Sequence, residues 1–303
     1  MNELNLNLDL NSLSEFLITN FPGALDFLHR DIDVFRHNGV FINEVRELIK
    51  GRDVIVYGSG PTLNYFDPKI ITSEKTLQVG VNSQIINEKL NLDFFFAGDY
   101  VPLKKNNITP EVLIEKKNAG MKICLTRKYG VNENDGKVHK TYIPDSFVNQ
   151  LPDDINILYY TNSFRQALQR HYSRLLFSSC SIGQVPLQIS MFCGARRIYL
   201  VGFDQGGSFY ADGRIRISYE NQDSESPVDV EADSHKKKFV SDEKAIRAFK
   251  QVSEMKKTLG YKSEIISVNP VNMKGIFDRD VYTKEYADSK GLIGDEYKIL
   301  TTI

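Results

Sequence analysis

Cysteine is scarce: the chain has three, Cys124, Cys180 and Cys193, widely spaced and without a C-x-x-C pair. That argues against a disulfide framework and against a structural zinc site, and it suits a reducing cytoplasm. An excess of either charge is also missing, since the formal net charge is −1 over 303 residues. Proteins that ride on phosphate backbones usually carry a basic surplus, so nucleic acid is not an expected partner. No stretch approaches the roughly 20 apolar residues of a membrane-crossing helix. The start, Met1-Asn2-Glu3-Leu4-Asn5, has neither a basic segment nor a long apolar core, so no secretory signal is expected. Peripheral contact with the inner face of a membrane, and assembly into a homo-oligomer, are left open. What is present is ordinary for a soluble globular protein: 41% hydrophobic and 25% charged residues. The length suffices for one large α/β domain.

Residues 1–50 carry apolar positions at helical spacing (Leu13, Phe16, Leu17, Phe21, then Val45, Leu48, Ile49) and read as a helical extension on the core. From Asp53 to Asn269, short apolar runs alternate with helical patterns. The runs are Asp53–Tyr57, Lys75–Val81, Asp93–Asp99, Met121–Leu125, Ile155–Tyr160, Arg197–Asp204 and Glu264–Asn269. Continuous apolar runs bounded by turn residues suit strands covered on both faces. The fold class expected is therefore α/β, a doubly wound, mostly parallel Rossmann-like sheet. Helices are expected over Gln84–Leu90, Ser181–Cys193 and Ser241–Gly260, and a long polar, lid-like loop over 205–238. The domain division expected is 1–50 as extension, 51–275 as the nucleotide-binding catalytic domain, and 276–303 as a C-terminal tail packed on the core.

Ligands of such sheets sit outside the carboxyl ends of the strands. Gly58, Ser59, Gly60, Pro61 and Thr62 follow the first strand, where glycine permits a tight turn and lets amides approach phosphate. The loop is neither G-x-G-x-x-G nor a P-loop. Asn82, Asp99 and Asp204 fall at further strand ends. Asn82 suits a base edge, a ribose or a phosphate, or simply ends a turn. The two acids could hold a divalent metal, hold a ribose, or act as an acid–base pair. Neither belongs to a D-x-D sequence, and no metal ligand set is assigned. Ser181 and Gly183 open a predicted helix, a place suited to an anion or to plain N-capping by Ser181. Tyr210 could meet a leaving phosphate, and His235, in a polar segment, could act as a general base. His29, His37, His139 and His171 read as structural.

Taken in order, VIVYGSGPTL, VGVNSQ, LDFFFAGD and SSCSIGQVPLQISMFCGARRIYLVGFDQGGSFYADG resemble two related families over roughly residues 50–270. One is the bacterial lipooligosaccharide-type sialyltransferases of glycosyltransferase family 42; the other is the 6-hydroxymethylpterin pyrophosphokinase-like domain. The resemblance implies a GT-A-like variant of the fold. It implies a glycosyltransferase that draws on a nucleotide-activated, CMP-linked sugar for surface polysaccharide or glycoconjugate synthesis. The partners are then the nucleotide-sugar donor and a glycan or protein acceptor. By the same resemblance Gly58–Thr62 and Asn82 hold the nucleotide, and Ser181 and Gly183 contact phosphate or sugar. Tyr210 steadies the departing phosphate, His235 stands near the base, and Asn269-Pro270 turns beside the pocket.

Two departures stand out. Gln205-Gly206-Gly207 replaces a second tyrosine of the sialyltransferases, and Asp99 replaces their asparagine. The acid is closer to the pyrophosphokinase-like family. The alternatives are thus an Mg²⁺-dependent pyrophosphokinase with Asp99 and Asp204 as ligands, and a nucleotide-binding protein without catalysis. No cofactor is obligatory for a CMP-sugar transferase, and Mg²⁺ stays open.

Overall fold

The computed structural model describes residues 32, 34–71, 73–129, 143–171, 174–205, 231–295 and 297–301, with backbone only over 231–241. Nine strands among these form one sheet: β1 Asp53–Tyr57, β2 Leu77–Val81, β3 Phe94–Ala97, β4 Lys122–Lys128, β5 Asn156–Thr161, β6 Leu176–Phe177, β7 Arg197–Val201, β8 Glu264–Val268 and β9 Arg279–Val281. Their order is β6-β5-β4-β3-β2-β1-β7-β8-β9, and every pairing is parallel. The chain builds outward from β1 on one side and then resumes at β7 on the other. The strand order therefore reverses between β1 and β7.

Alternation sorts the side chains onto two covered faces. Val54 and Val56 of β1 and Phe94 and Phe96 of β3 join one core with helices α1 (Val40–Ile49), α6 (Gln184–Phe192) and α7 (Glu231–Thr258). Ile55 and Tyr57 face the other side, with Leu63, Phe66 and Val268. Phe95 and Ala97 lie there too, with Leu103 of α2 (Tyr100–Lys105), Leu113 of α3 (Pro110–Asn118) and Phe147 of α4 (Asp145–Val148). Helices on both faces of a parallel sheet make the fold the doubly wound, Rossmann-like α/β class that the alternation predicts. All nine residues of α6 are buried, as its continuous apolar spacing requires.

Several boundaries differ from expectation. The polar stretch predicted as loop to residue 238 is already helical from Glu231, as Glu, Ala and Lys are good helix formers. The helix expected over Gln84–Leu90 is a 3₁₀ turn, Asn82–Ile86. β6 and β9 have two and three residues, too short to carry a period. β9 closes the sheet's edge with Arg279 and Asp280. A last helix, α8 (Lys284–Lys290), is capped by Thr283 and ended by Gly291 at φ 61°. Among the described residues no helix is long and apolar enough to cross a membrane.

Candidate functional site at the carboxyl edge

The loops after β1 and β7 meet where the strand order reverses, and they are stitched together by backbone. Gly58 N–H donates to the Val201 carbonyl and Gly60 N–H to the Gly202 carbonyl, both at 2.8 Å. The approach is close enough to demand glycine. A Cβ on Gly58 would stand 2.4 Å from the Gly202 oxygen, and one on Gly60 would stand 2.5 Å from Asp204 Oδ2. Gly202 itself takes φ 72°. Asp204 is buried, and its carboxylate accepts from the Thr62 amide at 3.0 Å and from the Thr62 hydroxyl.

Asp204 thus braces the glycine loop through Thr62. The amides of Gly58, Gly60 and Thr62 also point into the protein, and Pro61 has none. The loop thus offers a ligand the Ser59 side rather than a ring of amides. Ser59 Oγ lies 3.1 Å from Ser83 Oγ and accepts from Gln84 Nε2 at 3.3 Å, which ties the β1 loop to the turn after β2.

The segment entering α6 reaches the same edge. Gly183 packs so closely on Phe203 that a Cβ would stand 2.1 Å from the ring, and Ile182 Cδ1 comes within 2.8 Å of where a Gly98 Cβ would be. Ser181 is not the N-cap; Gly183 is, without a side-chain cap. The Gln184 and Val185 amides turn back onto the Ser181 and Ile182 carbonyls, while Gln184 and Gln188 anchor the strand-to-helix turn. Gln184 accepts from Ser179 N–H at 2.6 Å, and Gln188 takes Phe177 N–H at 3.0 Å and donates to its carbonyl at 2.5 Å.

Asn82 and Asp99 follow the neighbouring strands β2 and β3 on the same edge. Asn82 adopts φ 51°, one of several non-glycine left-handed residues on this edge with Cys180 (58°), Gln205 (47°) and Asn269 (51°). Such backbone strain gathers at functional sites. Asn82 Oδ1 is buried with no hydrogen-bond partner among the described residues. Asp99 begins α2 but makes no cap hydrogen bond. Burial alone pushes its carboxyl up to about 6, the range of a working acid or base. Asn269, at the end of β8, is fully engaged: it donates to Thr283 Oγ1 at 3.0 Å and accepts from Thr283 N–H at 2.8 Å. Tyr286 of α8 backs the β1 loop, its ring 5.4 Å from Tyr65 at 80°.

The structure thus brings Gly58–Thr62, Asn82, Asp99, Ser181, Gly183 and Asp204 to one edge. Tyr210 lies outside the described residues. His235 lies on α7, and its side chain is outside them too. Sequence reading did not single out Ser83, Gln84 and Phe203, although they lie within the quoted segments; the folded neighbourhood marks them. Among the described residues no group of three or more His, Cys, Asp or Glu is arranged to hold a metal.

No protein-family model matches the chain, and no curated protein matches it. Solved structures do resemble it. The monofunctional α-2,3-sialyltransferase Cst-I of Campylobacter jejuni aligns at 14% identity over 72% of this chain and 75% of its own, with a TM-score of 0.41. The sialyltransferase CstII of the same organism, in complex with cytidine-5′-monophosphate, aligns at 15% identity over 71% and 79%, with a TM-score of 0.36. CstII with CMP-3FNeuAc aligns at 16% over 71% and 79%, with a TM-score of 0.37.

Proposed function

We propose that this chain is a glycosyltransferase that takes its sugar from a nucleotide donor, with a CMP-linked sugar as the first candidate. The observation that carries the choice is the inward turn of the Gly58, Gly60 and Thr62 amides. A triphosphate cradle needs a run of free loop amides; a donor with one phosphate does not. The resemblance of the segments from residue 50 to 270 supports the same reading, as does the convergence of strand ends at the reversal of strand order.

In this reading the acceptor hydroxyl oxygen attacks the anomeric carbon of the sugar. The bond from that carbon to the phosphate oxygen breaks, and CMP departs with the electron pair. His235, on α7, takes the hydroxyl proton, and Tyr210 and the Ser181–Gly183 turn steady the departing phosphate, where charge develops. Asp99 is the second candidate for the proton, by its place and its raised affinity for one. A glycan or protein is the acceptor, in surface polysaccharide or glycoconjugate synthesis, with metal supplying no required step. The rival pyrophosphokinase reading asks for Asp99 and Asp204 as joint Mg²⁺ ligands, and among the described residues no cluster of three or more His, Cys, Asp or Glu stands ready to hold a metal.

Melting of the purified protein with CMP, CDP, UDP, GDP and ATP, each with and without Mg²⁺, is the test. A ligand at a hundredfold excess over its dissociation constant stabilises the folded state by about 2.7 kcal/mol. A rise with CMP that needs no metal is expected; a rise only with ATP and Mg²⁺ would transfer the assignment to pyrophosphoryl transfer. His235→Ala is expected to abolish turnover of a CMP-sugar while leaving CMP binding in place. Undiminished turnover would remove His235 from the base role.

A further inference from the structure

Four side chains meet where helices end and strands begin, at the edge of the sheet opposite the candidate site. His171 follows α5 (Phe164–Gln169), Arg174 precedes β6, Phe192 ends α6 and Tyr261 precedes β8. His171 Nε2 lies 3.1 Å from Arg174 Nη1 and 3.1 Å from the Tyr261 hydroxyl, and Arg174 Nη1 donates to that hydroxyl at 3.3 Å. Phe192 packs against all three, with its ring centre 5.4 Å from that of His171, 5.3 Å from that of Tyr261 and 5.7 Å from the Arg174 guanidinium.

The chemistry of these groups fixes where the protons are. A guanidinium only donates, so Nε2 accepts from Arg174. The Tyr261 hydroxyl accepts from Arg174 and gives its own hydrogen to the same nitrogen. His171 is therefore neutral, with its proton on Nδ1. An imidazolium has no lone pair to offer and would set a second positive charge against Arg174. The surrounding groups do not offset that charge. Arg170, beside His171 in the chain, lies over the Tyr129 ring. Arg46 of α1 and Cys193, just after α6, also bear on Tyr261. Arg46 is a cation, and burial keeps the Cys193 thiol neutral, pushed up to about 12.

The triangle is tied to a distant element through backbone. The Arg174 N–H donates to the His171 carbonyl at 3.0 Å, and the Arg174 carbonyl accepts from the Asn38 side chain at 2.9 Å. Asn38, in the π-helical turn Phe35–Gly39, is buried and bonds both the carbonyl and the N–H of Tyr159 in β5. Arg174 takes φ 60°, a conformation that persists only where its surroundings impose it.

We propose that the His171–Arg174–Tyr261 triangle is a pH-sensitive clasp, in which neutral His171 holds Arg174 against Asn38 and so steadies β5, and protonation of His171 opens the triangle and loosens that edge of the sheet. Burial, and then the Arg174 charge, lower the affinity of His171 for a proton in the folded chain. The stabilisation is thus whole above the ordinary 6.5 and is lost as pH falls below it.

Hydrogen exchange of the full chain, corrected for the intrinsic rate, tests this at about pH 7.5 and about pH 5. The wild type is expected to lose protection over Phe35–Gly39 and Asn156–Thr161 at the lower pH before the central strands do. His171→Gln places an acceptor near the position of Nε2 and does not titrate, so it is expected to lose less. Tyr261→Phe keeps the ring and removes the hydroxyl. It is expected to exchange faster than wild type over the same segments at the higher pH, with the difference narrowing at the lower. The imidazole nitrogen shifts of wild-type His171 are expected to show an unprotonated Nε2 at the higher pH, a reading that stands even if the glutamine variant does not fold. A proton on Nε2 there would overturn the proposal. So would equal losses in wild type and His171→Gln, or a Tyr261→Phe difference that is the same at both pH values.

Discussion

Asp99 and Asp204 show how far two carboxylates at strand ends can diverge. Asp204 accepts two hydrogen bonds from Thr62, whereas Asp99 lies partly buried, makes no cap hydrogen bond and is shifted by burial alone. Its carboxyl sits near 6 against an ordinary 3.8, so the folded chain holds the proton more tightly than the unfolded chain does. The resulting penalty on stability is absent below the ordinary value, grows as pH rises toward 6, and is complete above it. Asp99→Asn is therefore expected to stabilise the protein by about 2 kcal/mol at pH 8 and by almost nothing at pH 4, read from urea unfolding at both. An equal gain at the two pH values would show that the charge is not the cause. Thr62→Val is expected to act oppositely, costing about 1.5–3 kcal/mol, since it leaves a buried carboxylate short of one donor. Unchanged urea unfolding in that variant would remove the brace between the two loops.

At the scale of elements, the edge of the sheet beyond β4 depends on one side chain from outside it. Asn38 sits in a π-helical turn, Phe35–Gly39, and is fully buried. It donates to the Tyr159 carbonyl at 2.7 Å and the Arg174 carbonyl at 2.9 Å, and accepts from Tyr159 N–H at 2.7 Å. β6 pairs with β5 only through Tyr160 and Thr161. Asn38 thus supplies to β5 the bonds that a longer neighbouring strand would have made. The widened turn brings the amide to that position, and π turns often mark such special placements. Asn38→Ala is expected to cost about 3 kcal/mol and to speed amide exchange across Asn156–Thr161 before the rest of the sheet. Uniform acceleration throughout the sheet would argue against a local role.

The whole molecule closes on its last segment. β9 covers the edge of β8, and Thr283, just beyond it, satisfies the buried side chain of Asn269. Tyr282 and Tyr286 stack at 6.3 Å and 15°, with Tyr65 and Tyr297 at their edges. Removing residues 276–303 would bare the backbone of β8 and strand the Asn269 amide. The shortened chain is expected to aggregate or to melt far below the full one, since an open parallel edge invites pairing with another chain. A soluble product with unchanged melting would show that the segment is a dispensable appendage.

Much of this was legible in the order of residues. Apolar runs such as Asp53-Val54-Ile55-Val56-Tyr57 have to be strands covered on both faces, and their alternation with helices requires a parallel sheet; both follow from local periodicity. That Gly58–Thr62, Asn82 and Asp99 stand at strand ends followed from the same pattern. Local sequence is silent about which loops meet and which donors are already used. It could not tell that Asp204 would be taken by Thr62, 142 residues away in the chain, or that the loop amides would turn inward. Those facts belong to long-range pairing, because the partner of a polar atom is set by distance in space, and only the strand order β2-β1-β7 on one side and β2-β3-β4 on the other fixes that distance.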